Sequence, residues 1–197
     1  WLPGTGNGER VCVTGDQAGT IRVWDLRLKG SGTSNGCIHE SILHAGGAVN
    51  DIVSCCGPAT ETSALVTTGA DKNIQVLDVR MGFQPRVTFA HHKDFIYSVE
   101  SIGDFVASGG GDGMLLVHDV KEGKLLYGLG ASEGAVRALA CTAESIIIRR
   151  RRASLQQRAP RADGFEELAV GVQLRRVARL RRALLHRARA LPRGPRR

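Results

Sequence analysis

Two sets of residues in this chain have the makings of hydrolytic chemistry. Ser108, His91 and Asp112 are the types of a nucleophile, a general base and an orienting acid, and Thr67, His44 and Asp71 repeat the pattern upstream. The repetition itself argues against catalysis. A catalytic set is needed once, whereas hydrogen bonds that hold a scaffold recur with the scaffold. The run GGGDG at 109–113 resembles a phosphate loop only in its glycines. It lacks the Lys-Ser/Thr that engages phosphate and magnesium, and a strand rather than a helix is expected after it. The adjacent His91 and His92 could ligate a metal. Cys12, Cys37, Cys55, Cys56 and Cys141 are odd in number and lack the C-x-x-C spacing of a zinc site. No enzyme activity and no cofactor is expected from these residues.

The elements that position these groups come from one phrase written three times. Residues 14–25 read TGDQAGTIRVWD, 67–78 read TTGADKNIQVLD and 108–119 read SGGGDGMLLVHD. Each copy sets a hydroxyl residue at the end of an apolar run, then a turn rich in Gly and Asp, then an alternating strand ending in Asp. That order predicts a hairpin. Ile21/Val23, Ile74/Val76 and Leu115/Val117 share one face of the second strand. Large residues on the other face imply a sheet packed between neighbours. Further apolar runs at 37–43, 85–90 and 124–129, and strands at AVNDIV and IYSVES, bring each unit to four strands. A repeat of four antiparallel strands about every forty residues is the pattern of a propeller blade.

VWD at 23–25, a His upstream of the first strand and the S/T-G-x-x-D-G turn resemble the WD-repeat β-propeller family. The resemblance covers about residues 9–141. It implies a structural tetrad in which His, Ser/Thr, Asp and Trp are joined by hydrogen bonds. His44, Thr67 and Asp71 match in one repeat, with Leu77 in place of Trp. His91, Ser108 and Asp112 match in the next, with His118 in place of Trp. In the first, Thr14 and Trp24 match, Ala18 takes the Asp position, and the His would lie before residue 1. The expected fold is therefore all-β: an incomplete propeller of four-stranded blades over 9–148, with repeats near 9–43, 44–90, 91–129 and a partial one at 130–148. A flexible segment at 1–8 precedes it.

Charge divides the chain where the repeats stop. The whole carries a net charge of +8, but residues 1–148 hold 11 Lys/Arg against 16 Asp/Glu, and residues 149–197 hold 16 Arg against 3 acidic residues. The excess positive charge, which alone would suggest a nucleic-acid binder, sits in the tail. A fourth copy starts at GAVRALAC (134–141) and is expected to fail at Arg149. Of the last 49 residues, 37 are Arg, Ala, Leu, Pro or Gly, a composition that resembles out-of-frame or intron-derived translation of a longer propeller gene. The tail, 149–197, is expected to be disordered or partly helical and outside the propeller. Leu174, Val177, Leu180, Leu184, Ala188 and Leu191 would form one apolar stripe if it is helical. Such a basic helix could bind nucleic acid or an anionic surface.

The expected function is that of a non-enzymatic scaffold for other proteins, built as a fragment or mistranslated form of a larger propeller. Arg27 and Arg80, each two residues after the repeat's Asp, resemble the W-D-x-R element of receptors that dock on cullin-RING ubiquitin ligases. A ubiquitin-ligase adaptor is thus a candidate partner, with those two arginines as its contacts. No run of eighteen apolar residues and no apolar leader is present, so no membrane span is expected and an intracellular compartment, cytoplasmic or nuclear, is implied. Open sheet edges at both ends of three and a half blades would favour self-association.

Overall fold

The structure is a computed structural model that describes residues 10–28, 36–55, 64–141, 146–151 and 165–168. Among the described residues there are fourteen strands in four antiparallel sheets and no helix. The first sheet has three strands: β1 (Val11–Gly15), β2 (Thr20–Asp25) and β3 (Cys37–Ile42). The second runs in sequence order through β4 (Val49–Cys55), β5 (Ala64–Gly69), β6 (Ile74–Asp78) and β7 (Gln84–Phe89). The third repeats this with β8 (Ile96–Ile102), β9 (Phe105–Gly110), β10 (Met114–Asp119) and β11 (Lys124–Gly130). The last contains β12 (Val136–Cys141), β13 (Ile146–Arg151) and β14 (Phe165–Leu168).

Large residues on both faces of the middle strands are explained by blade stacking. Ile21 and Val23 of the first sheet pack with Leu65, Leu77 and Phe83 of the second. The opposite face of the second sheet, with Val66, Ile74 and Val76, packs with Ile96, Val99 and Val106 of the third. Ala107, Leu115 and Val117 of the third then meet Val136, Leu139, Ile146 and Ile148 of the fourth. Each interface buries apolar surface that a lone sheet would leave wet. The fourth strands are different. β11 reads KLLYGLG with most of its residues exposed, as befits the outer edge of a blade.

The chain departs from the expected boundary at residue 148. β13 continues through Arg151, and Phe165–Leu168 pairs with it antiparallel, Ile148 facing Leu168 and Arg151 facing Phe165. The arginine run therefore does not end the sheet: β13 is paired on both sides, and the ladder is made by backbone groups whatever the side chains. Asp163-Gly164 stands before Phe165 just as Asp112-Gly113 stands before Met114, so the turn signal of a blade recurs after a longer interval. Residues 1–8, most of 149–197 and Cys56 lie outside the described residues, and with them the apolar stripe of the tail.

Candidate functional site

The groups with the look of catalysis sit where one blade's approach crosses its hairpin. In the second blade, His44 is fully buried. Its Nδ1 lies 2.7 Å from Asp71 Oδ1 and its Nε2 lies 2.9 Å from Thr67 Oγ1. Asp71 also accepts from the backbone and side-chain N–H groups of Asn73, at 3.2 and 2.9 Å. The imidazole rests on Gly69, where a Cβ would come within 2.6 Å of His44 Nδ1. Glycine is therefore required by contact rather than by backbone angle.

The third blade has the same arrangement, built from His92 and not from His91. His92 Nε2 lies 2.9 Å from Ser108 Oγ, and its Nδ1 lies 3.0 Å from Asp112 Oδ2. The backbone N–H groups of Lys93 and Met114 donate to Asp112 at 2.9 and 3.1 Å. Counting back from the first strand explains the shift. Four residues separate His44 from Val49, and only three separate His92 from Ile96. A fixed offset lands one residue early, on His91. Burial pushes Asp112 up, but these N–H donors and His92 outweigh it and hold the carboxyl below its ordinary value. Burial lowers His92 despite the neighbouring Asp112.

The first blade keeps one arm of the set. Trp24 Nε1 donates to Thr14 Oγ1 at 2.9 Å. The turn carboxylate is Asp16, two residues before the expected position at Ala18. It accepts the N–H groups of Ala18 and Thr20 at 2.9 Å each and pairs with Arg22 at 2.8 Å. The Thr20 N–H and the Arg22 guanidinium hold the Asp16 carboxyl below its ordinary value.

Arg27 and Arg80 are not equivalent. Arg27 turns back on Asp25, its Nε 2.9 Å from Oδ1 and its Nη2 paired with Oδ2. That contact holds the Asp25 carboxyl down at about 2. Arg80 is exposed. What repeats is the carboxylate: the backbone N–H groups of Arg27, Arg80 and Lys121 donate at 2.9 Å to Asp25, Asp78 and Asp119.

One polar layer escaped the sequence reading. Asp51 Oδ2 accepts the N–H of Val99 at 2.9 Å, and Ser98 Oγ accepts that of Leu139 at 3.2 Å. Asp51 and Ser98 hold the same register position, each beside a bulge in the inner strand of its blade. They tie each blade to the next. Only the equivalence of an Asp and a Ser, which sequence similarity hides, could have revealed it. Burial, with Asp51 second, raises the Glu100 carboxyl. Asp51→Ala is expected to lower stability by about 1–2 kcal/mol and to bring the Glu100 pKa down, as read by urea unfolding and carboxyl NMR.

His118 occupies the place that Trp24 holds in the first blade. It is fully buried, its ring 4.4 Å from that of Phe89, and burial lowers its pKa to about 3 from an ordinary 6.5. The native protein therefore refuses a proton that the unfolded chain accepts below pH 6.5. The stabilising preference for neutral His118 is intact above that pH and is lost progressively as pH falls towards 3. Between pH 7.5 and 4.5, urea unfolding with chelator present is expected to show a loss of about 2–3 kcal/mol; equal midpoint stabilities would contradict the burial argument.

As for the triad resemblance, the Ser108 side chain lies in a fully buried residue, so a substrate carbonyl cannot approach it without opening the blade. Among the described residues no group of three or more His, Cys, Asp or Glu side chains is arranged around a metal position, and no helix is long and apolar enough to cross a membrane.

Residues 83–119 match the family described as WD domain, G-beta repeat. No curated protein matches the chain. Among solved structures, a computationally designed protein named Ika4 is similar at 20% identity with a TM-score of 0.62, over 87% of this chain and 96% of that one. At that identity the likeness concerns the fold. The matched segment spans the last strand of the second blade through the third strand of the next, which contains His92, Ser108 and Asp112. Residues 83–119 are thus similar to a WD repeat and lie within an all-β array of propeller-type blades.

Proposed function

We propose that this protein is a non-enzymatic platform for other proteins, contacted at the end of the blades that carries the turns after β2 and β6. WD repeats generally mediate protein–protein interaction, and the His, Ser/Thr and Asp groups here are consumed in internal hydrogen bonds. The observation that carries the choice of end is exposure. Leu26, Leu28 and Met81 are 56%, 55% and 69% exposed in those turns, beside the exposed Arg80. Met and Arg are enriched at protein interfaces, and the exposed leucines beside them add apolar surface that a partner can bury. Cross-linking of the full chain in cells, followed by mass spectrometry, tests this. Met81→Asp with Leu26→Asp should reduce recovered cross-linked partners about tenfold or more; unchanged recovery would contradict the assignment.

A narrower version takes the partner to be a ubiquitin-ligase adaptor. The exposed Arg80 side chain supports it, whereas Arg27 is occupied by Asp25. Adaptor co-purification that is lost on Arg80→Ala and retained on Arg27→Ala is the expected result; retention on Arg80→Ala would contradict it.

A further inference from the structure

With His92 taken up by Ser108 and Asp112, His91 is left over, and it meets the one histidine that replaces a tryptophan. His91 Nδ1 lies 3.3 Å from His118 Nε2, with the ring centroids 5.3 Å apart and the planes tilted by 34°. We propose that His91 and His118 form a two-histidine site for a divalent transition ion of borderline softness, such as Zn²⁺.

Two imidazole nitrogens bound to one tetrahedral Zn²⁺ at about 2.0–2.1 Å stand about 3.3–3.4 Å apart. The observed spacing therefore needs little rearrangement beyond turning both lone pairs towards the ion. The inner wall is already rigid, because His118 is fully buried against Phe89. The outer ligand, His91, is exposed and gives access from solvent. His118 Nδ1 has no hydrogen-bond partner among the described residues. No carboxylate therefore pins its tautomer, and Nδ1 can carry the proton that leaves Nε2 free to ligate. The lack of such a carboxylate also keeps the imidazole from becoming a stronger base, so the site should bind more weakly than one with oriented ligands. Two protein ligands leave the remaining coordination positions to water.

The test is a Zn²⁺ titration of the full chain at pH 7.5, followed through the imidazole ¹⁵N resonances. Saturable movement of the His91 and His118 signals together, with His92 unmoved, is expected. His91→Ala removes the exposed ligand. His118→Trp places in this blade the residue that the first blade has in Trp24, and keeps the fold testable by its unfolding curve. Both variants should weaken Zn²⁺ binding about tenfold or more. Binding that persists in both variants, or a titration that leaves the two signals unmoved, would overturn the site.

Discussion

Replacing His44 by alanine is expected to cost about 3–4 kcal/mol, among the largest single losses available in this chain. The imidazole is fully buried and meets Asp71 at one nitrogen and Thr67 at the other. Its removal leaves a hydroxyl and a carboxylate facing a void, and water cannot reach the buried hydroxyl without opening the hairpin. The loss should appear as a lower urea midpoint with the slope preserved. It should be specific to the imidazole: Thr67→Val, which removes the hydroxyl at similar volume, should lose less, because His44 keeps Asp71. If His44→Ala unfolds within about 0.5 kcal/mol of the parent, the histidine is not holding the blade.

The second large effect comes from a single methyl group. Gly110→Ala would set a Cβ 2.7 Å from His92 Nδ1 and 2.8 Å from Asp112 Oδ1. Both of those atoms are fixed by other bonds, so neither can yield without breaking the pair. A loss of about 2–3 kcal/mol is expected, although alanine ordinarily gains a few tenths from a stiffer unfolded chain. Gly130→Ala is the matched control, since nothing lies within 4 Å of its Cβ position. It should be neutral or slightly stabilising. Equal behaviour of the two variants in thermal unfolding would remove the contact argument.

These residues also show how much could be read without coordinates. The hairpins were legible because turn chemistry and period-two alternation agree three times over, and repetition filters chance matches. The blade-to-blade packing was legible from large residues on both faces of β2, β6 and β10. The choice between His91 and His92 was not, because it depends on one residue of turn length between the histidine and its strand. The true turn carboxylate Asp16 was hidden for a similar reason: the first turn closes with its Asp two places earlier. The fourth blade was obscured by composition. Arginines in β13 read as a tail, although strand pairing is a backbone property and β13 keeps a partner on each side. The Asp51 and Ser98 ties between blades had no signal in one sequence, since different side chains accept the same kind of N–H.

If the His–hydroxyl–Asp sets are the frame of the blades, the two adjacent histidines must behave very differently. The most direct measurement is urea unfolding of His91→Ala and His92→Ala side by side at pH 7.5 with chelator present. His92→Ala should lose about 3 kcal/mol, because the buried Ser108 hydroxyl and one side of Asp112 both lose the imidazole. His91→Ala, at an exposed position where water can replace its 3.3 Å contact to His118, should lose no more than about 1 kcal/mol. Equal losses, or a larger loss at His91, would contradict the account.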